Sequence, residues 1–103
     1  METKYYHITE NLEAYQSIKA TGLNADEEGY IYLLTNKNIA GYVAKNQLGY
    51  RGSFALLQIN SKGIDEKPEM DNVGEYTAQY QRRIKQSLIE TKYIKLENMH
   101  FIK

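Results

Sequence analysis

Four side chains in this 103-residue sequence are candidates for a ligand site: His7, Tyr32, Tyr42 and Glu75. His7 and Tyr32 lie in short apolar segments, Tyr42 lies in an amphipathic segment, and Glu75 directly follows a glycine. Taken singly, each has an ordinary explanation, because a histidine on a strand is usually a packed, hydrogen-bonded residue and a glutamate after glycine is usually a solvated one. Only their arrangement along the chain favours a site.

The aromatic composition is unusual, with ten tyrosines, two phenylalanines and no tryptophan. Tyrosine can pack in a core while its hydroxyl reaches water, and this accounts for most individual tyrosines. The alternative is that some of them line a pocket that stacks a flat ring. Both interpretations stay open from composition alone.

Composition excludes several kinds of site. The chain has no cysteine, which rules out disulfides, thiolate catalysis and cysteine-based zinc sites, and no dedicated metal site is expected. Thirteen basic and thirteen acidic residues balance, so bulk electrostatics disfavour nucleic-acid binding, although Arg82, Arg83 and Lys85 leave a local basic patch open. No segment has the length of a membrane span and residues 1–4 do not resemble a signal peptide, so we expect no membrane partner and a cytoplasmic location.

Hydrophobic periodicity predicts the elements that would position these residues in one domain over residues 1–103. The first half is predicted to run in the order strand 4–9, helix 11–21, loop 24–29, strand 30–34, helix 39–48 and strand 54–59. The second half is predicted as a loop over 61–72, a half-exposed strand over 75–81, a turn or short helical piece at Ile84, Leu88 and Ile89, and a closing hairpin across Glu97-Asn98. This order predicts an α+β domain with a mixed, mostly antiparallel sheet and two main helices.

Five short motifs in fixed order carry a resemblance to a known family. They are Tyr6-His7-Ile8-Thr9, Ala20-Thr21-Gly22-Leu23, Gly29-Tyr30-Ile31-Tyr32, Ala40-Gly41-Tyr42 and Gly74-Glu75-Tyr76. Together they resemble the His-Tyr-Glu branch of the ADP-ribosyltransferase superfamily, which includes the poly(ADP-ribose) polymerases and the diphtheria-type toxins. The arginine-specific and RNA 2′-phosphotransferase branches of the superfamily fit less well, since Val73 and the presence of only two histidines depart from their patterns.

The resemblance implies an ADP-ribosyltransferase-like fold, NAD as the substrate and an unknown protein or nucleic-acid acceptor. It assigns His7 to the ribose of the nicotinamide half, the backbone of Ile8 and the neighbouring Thr9 to the nicotinamide side of the pocket, and Tyr32 and Tyr42 to the two faces of the ring. Glu75 would orient the ribose hydroxyl and stabilise the cation-like sugar as nicotinamide leaves. That role suits a fixed carboxylate, because cleavage of the C–N bond builds positive charge on the sugar.

Two departures from the family pattern favour an alternative function. Ile8 stands where the family usually has glycine, and the chain is much shorter than the catalytic domains of the polymerases. The alternative is therefore a domain of the same fold that binds a nucleotide or ADP-ribose without catalysis; an interaction domain that reuses the fold is a third hypothesis.

A nuclease of the GIY-YIG type is a further alternative. Gly29-Tyr30-Ile31-Tyr32 followed by Tyr42-Val43-Ala44 resembles that signature, with Arg51 at a phosphate and Glu75 as a metal ligand. This interpretation leaves the His7 strand and the first helix without a role. The equal numbers of basic and acidic residues also disfavour DNA binding.

Overall fold

Six strands form one antiparallel sheet in the computed structural model, which describes residues 4–70 and 78–102. The strands of this sheet are β1 (Lys4–Thr9), β3 (Tyr30–Leu34), β4 (Ser53–Asn60), β5 (Glu69–Met70), β6 (Gln81–Lys85) and β8 (Ile94–Phe101), in the spatial order β5-β6-β3-β1-β4-β8. Two further short strands, β2 (Leu23–Asn24) and β7 (Leu88–Ile89), pair with each other. All these pairings are antiparallel.

The first helix, α1, spans Leu12–Thr21 and has clear signals at both ends. The side chain of Asn11 accepts a hydrogen bond of 2.8 Å from the backbone N–H of Ala14, which caps the helix start. Gly22 follows the helix with φ 91°, and a Cβ there would lie 2.7 Å from the carbonyl oxygen of Ile89. Both the backbone conformation and the close contact therefore require glycine at this position.

The second helical segment combines three geometries. A 3₁₀ turn at Lys37–Ile39 leads into the short helix α2 (Ala40–Tyr42), and a π-helical turn follows at Val43–Gln47. In the π turn, the N–H of Leu48 bonds to the carbonyl of Val43, five residues back, over 2.9 Å. The predicted helix over 39–48 is thus present, but its last turn is wider than an α-helix.

The core lies on both faces of the sheet, because successive side chains of a strand point in opposite directions. Ile8, Leu34 and Leu56 belong to the cluster that packs against the second helical segment. Leu33 and Leu57 belong to the other cluster, against which Tyr15 and Ile18 of α1 pack. Strands covered on both faces explain the near-continuous apolar runs in the sequence.

The predicted closing hairpin is wrong, because residues 94–101 form a single strand. β8 pairs with β4 along its length, and the register shifts where Leu56 faces Asn98 while Leu57 faces Leu96. The extra residue, Glu97, forms a β-bulge. A bulge moves the inward-facing positions by one, so that Leu96 and Met99 can both pack against the same core cluster.

Three other predicted elements in the second half need correction. The segment 61–72 is not all loop, since a 3₁₀ turn at Ser61–Gly63 and strand β5 lie within it. The predicted strand 75–81 lies outside the described residues as far as residue 77; residues 78–80 form a 3₁₀ turn and the strand begins at Gln81. Ile84 lies in β6, and Leu88 and Ile89 form β7, so these residues are neither turn nor helix.

The coarse fold class is confirmed: the domain combines a mostly antiparallel sheet with two helical segments. No helix in the described part of the chain is long and apolar enough to cross a membrane.

Candidate ligand-binding site

The sheet opens between its two central strands, β1 and β3. These strands pair at one position, where Tyr6 faces Leu34, whereas β1 pairs with β4 at six positions. Beyond Tyr6, Nδ1 of His7 lies 2.7 Å from the carbonyl oxygen of Tyr32. A side-chain hydrogen bond therefore satisfies a backbone carbonyl where the ladder between the strands is missing.

This hydrogen bond determines the protonation state that His7 presents. A carbonyl oxygen only accepts, so Nδ1 carries the proton and donates it. Burial lowers the pKa of the imidazole from its usual 6.5, and the bond to Tyr32 opposes this shift only in part. At neutral pH the ring is consequently uncharged, and Nε2 is an acceptor that can receive a hydrogen bond from a ligand hydroxyl.

A cavity of about 400 Å³ lies at the opening between β1 and β3. Its walls combine apolar side chains with a small number of polar groups: His7, Ile8, Thr9, Tyr32, Leu33, Leu34, Gln47, Leu48, Tyr50 and Gln81. Its volume and lining are typical of small-molecule sites. Among the described residues that line it, none is an acid, a lysine or an arginine.

The structure places four of the six predicted site residues on this cavity: His7, Ile8, Thr9 and Tyr32. Ile8 is only 6% exposed and belongs to the core cluster beside the second helical segment. Because its side chain packs in the core, the isoleucine that replaces the family's glycine does not by itself block the cavity.

Asp26 holds Tyr32 and was not foreseen from the sequence. Its carboxylate accepts hydrogen bonds from the backbone N–H groups of Glu28 and Tyr30, at 2.9 and 3.0 Å. The bond from Tyr30 is the largest cause of a lowered pKa at Asp26, and a hydrogen bond from the Tyr32 side chain also lowers this pKa. Asp26 thereby ties the tyrosine to the loop that precedes β3. An Asp-Glu-Glu-Gly loop is a sequence signal for such an Asx turn.

Tyr42 takes a different position from the other predicted residues. Ala40, Val43 and Ala44 face the core, so Tyr42 falls on the outer side of the segment, where it is 45% exposed. In this structure it is not among the described residues that line the cavity. Its role against a ring stays a prediction of the family resemblance.

Tyr50, Gln47 and Leu48 occupy the wall that was expected to contain Tyr42. The π turn delivers Gln47 and Leu48 to the cavity, and the N–H of Tyr50 bonds to the carbonyl of Ala44 over 2.8 Å. Burial, together with the negative charge of Glu10, raises the pKa of Tyr50, so its hydroxyl stays protonated and able to donate. Sequence analysis missed this tyrosine, although the flanking glycines, Gly49 and Gly52, mark a turn around it.

Two glutamine side chains that line the cavity bond to each other. Nε2 of Gln81 donates to Oε1 of Gln47 over 3.0 Å, and Gln81 is only 7% exposed. The bond joins the first residue of β6 to the last residue of the π turn. It fixes the distance between the two walls of the cavity.

Glu75, the predicted catalytic carboxylate, lies outside the described residues. Without a carboxylate, the described walls can bind and orient a flat ligand, but they contain no group that would stabilise a developing cation. Gln81, six residues further along the chain, is the first described residue after this segment that lines the cavity.

Of the nuclease features, Tyr32 lines this cavity, Glu75 lies outside the described residues, and the others lie elsewhere. Tyr42, Val43 and Ala44 are helical, and Arg51 lines a separate cleft. Within residues 4–70 and 78–102, no three His, Asp or Glu side chains are grouped in a way that could hold a metal ion.

Comparison with protein-family models gives no match, and comparison with curated proteins gives no significant match. Function is therefore inferred from the site itself.

Proposed function

We propose that this protein is an ADP-ribosyltransferase of the His-Tyr-Glu type, which binds NAD in the cavity between β1 and β3 and transfers ADP-ribose to a protein or nucleic-acid acceptor. One observation carries the proposal. His7 and Tyr32 come from two motifs 25 residues apart, and a hydrogen bond of 2.7 Å joins them on one cavity. The resemblance required these two residues to share a site.

The described residues suit the nicotinamide half of NAD. Ile8, Leu34 and Leu48 offer apolar walls to a flat ring, and Tyr32 and Tyr50 add aromatic surface at little conformational cost. Nε2 of neutral His7 can accept a hydrogen bond from a ribose hydroxyl. In this proposal Glu75 supplies the missing negative charge and stabilises the cationic sugar as the C–N bond breaks.

The second candidate function is a domain that binds a nucleotide without cleaving it. It is favoured by one specific observation: Tyr42, which the family resemblance assigns to a face of the ring, is 45% exposed and lies away from the cavity wall. A site with only part of the family's ring contacts can hold its ligand without aligning it for reaction.

An NMR titration of the ¹⁵N-labelled protein with NAD, and separately with nicotinamide and with ADP-ribose, tests both candidates. We expect NAD and nicotinamide each to shift the backbone amide signals of Ile8, Thr9 and Leu33, which lie at the cavity. Signals from α1, for example Lys19, serve as the internal control because this helix packs against the core on the other side of the sheet.

Unchanged cavity signals at millimolar NAD, nicotinamide and ADP-ribose would contradict both candidates. Shifts without release of nicotinamide from NAD would leave the non-catalytic binder as the better account.

A further inference from the structure

A second cleft borders the ring cavity and shares one wall with it. It is lined by Lys45, Gly49, Tyr50, Arg51, Gly52 and Ile102. Tyr50 lines both spaces. Gln47 and Leu48 line the ring cavity, whereas Lys45 and Arg51 line the cleft. A ligand that passes Tyr50 therefore moves from an apolar environment into a basic one.

The cleft contains two cations and no acidic side chain among the described residues that line it. Arg51 is exposed and takes part in none of the ion pairs found in the described part of the chain. One carboxylate, that of Glu10, acts on Tyr50 from nearby. The described lining of the cleft thus has the charge expected of an anion site, and the carboxylate of Glu10 lies near Tyr50 at its border.

In the other basic cluster, Arg82 and Arg83 already have polar partners, and Lys85 lies 5.6 Å from the centre of the Tyr30 ring. Arg83 pairs with Glu69 over 2.7 Å and lies 4.4 Å from the centre of the Tyr30 ring. A terminal guanidinium nitrogen of Arg82 donates to the backbone carbonyls of Gln79 and Gln81. Because Arg82 and Arg83 already have these partners, an added anion is expected to bind Arg51 in the cleft.

The loop that lines the cleft has an accessible backbone at Gly49 and Gly52, and hydrogen bonds anchor it at both ends. Gly49 and Gly52 have φ values of 68° and 90°, and a Cβ on either would meet no atom within 4 Å. A ligand can therefore approach the main chain closely at these positions. The loop is anchored by the bond from Tyr50 to Ala44 and by a 2.8 Å bond from the N–H of Ile102 to the carbonyl of Gly52. An anchored loop loses little freedom when it binds.

From this geometry we infer that the cleft of Lys45 and Arg51 is a phosphate site, which binds the diphosphate of the same nucleotide whose ring enters the neighbouring cavity. The inference rests on the proposed function for the identity of the ring, but the phosphate site itself can be tested with a ligand that has no ring. A guanidinium matches two phosphate oxygens at once, and the ammonium of Lys45 adds a second charge.

The test is calorimetry and ¹⁵N NMR at low ionic strength with three probes: inorganic pyrophosphate, nicotinamide riboside and NAD. The variants are Arg51→Gln and the double variant Lys45→Gln/Arg51→Gln. Lys19→Gln, an exposed lysine on α1, is the matched control for removal of one positive charge.

We expect pyrophosphate to shift the amide signals of Gly49 and Gly52. Arg51→Gln should weaken both pyrophosphate and NAD by about tenfold or more, since a hydrogen bond to a charged group is lost. Nicotinamide riboside, which has no phosphate, should bind the variant and the wild type equally, and Lys19→Gln should change none of the three affinities.

The outcomes separate this inference from the proposed function. Riboside binding without pyrophosphate binding, or equal pyrophosphate affinity in wild type and Arg51→Gln, would overturn the phosphate site and leave the NAD cavity standing. Pyrophosphate binding that depends on Arg51, with no response to riboside, would support the phosphate site and contradict the NAD proposal.

Discussion

Nδ1 of His7 donates to the carbonyl oxygen of Tyr32 over 2.7 Å, at the point where backbone pairing between β1 and β3 ends. This bond connects the two strands at the mouth of the cavity and orients the imidazole. The orientation of the ring depends on this contact, whereas the lowered pKa of His7 depends on burial, which the bond opposes in part.

Replacing His7 separates its structural role from its ligand role. His7→Ala removes the hydrogen bond to the Tyr32 carbonyl, so we expect a loss of about 0.5–1.5 kcal/mol in the free energy of unfolding and a loss of ligand binding. In His7→Asn the side-chain amide can still donate to Tyr32, but the acceptor at Nε2 is gone. This variant should keep most of the stability and still lose affinity for NAD. Urea denaturation measures the change in unfolding free energy, and calorimetry measures the change in NAD affinity. His100→Asn is the control. Equal NAD affinity in His7→Asn and wild type would contradict the role of Nε2.

The lowered pKa of His7 predicts how stability depends on pH. The unfolded chain binds a proton near pH 6.5, while the folded chain resists protonation until a lower pH. Between these two values the unfolded state holds more protons, so the free energy of unfolding falls as the pH falls below about 6.5. Urea denaturation between pH 7.5 and 5 should show this decline in the wild type and a flatter profile in His7→Asn. Identical profiles would contradict the burial of a neutral imidazole.

Asp26 and Tyr32 should act as one unit in ligand binding. Asp26→Ala and Tyr32→Phe each remove one partner of the same hydrogen bond, so the double variant should lose little more NAD affinity than either single variant. Calorimetry on the three variants measures the coupling, and Glu28→Ala tests for a general effect of charge on this loop. Fully additive losses would show that Asp26 does not position the ring of Tyr32.

Two tyrosines compete for the role of the second ring contact. The family resemblance assigns it to Tyr42, whereas Tyr50 lines the cavity in the structure. We expect Tyr50→Leu, which keeps apolar bulk but removes the ring, to weaken nicotinamide binding by about tenfold, a typical effect of losing an aromatic contact. Tyr42→Leu should weaken it less. A larger loss in Tyr42→Leu would mean that the helical segment rearranges when the ligand binds.

The elements that sequence analysis placed well are those with strong local signals. Helix α1 has a capping asparagine, a helical repeat and a terminating glycine, and β3 is a continuous apolar run between turn residues. The elements that it missed depend on long-range pairing. β5 has only two residues, too few for a pattern, and β6 contains three charged residues because its partners, not its composition, make it a strand.

The same distinction applies to the site. His7, Ile8, Thr9 and Tyr32 were found because they stand in short ordered motifs. Tyr50, Gln47 and Gln81 reach the cavity through a π turn and a strand register, neither of which a single sequence displays. An α turn and a π turn bury Val43 and Ala44 alike, yet they direct the following residues differently. Glu97 likewise looked like part of a turn, because a bulge breaks alternation in the same way as a turn does.

The sharpest test of a transferase that depends on Glu75 is the release of nicotinamide from NAD, compared between wild type and Glu75→Gln. The substitution removes the charge and keeps most of the shape, so we expect the rate to fall by about 100-fold or more while NAD affinity changes little. Glu66→Gln, an exposed glutamate elsewhere on the chain, should match the wild type, and EDTA should have no effect. The assay is run with and without cell lysate as a source of acceptor. Equal rates in wild type and Glu75→Gln, including no release from either, would contradict an ADP-ribosyltransferase that depends on this carboxylate.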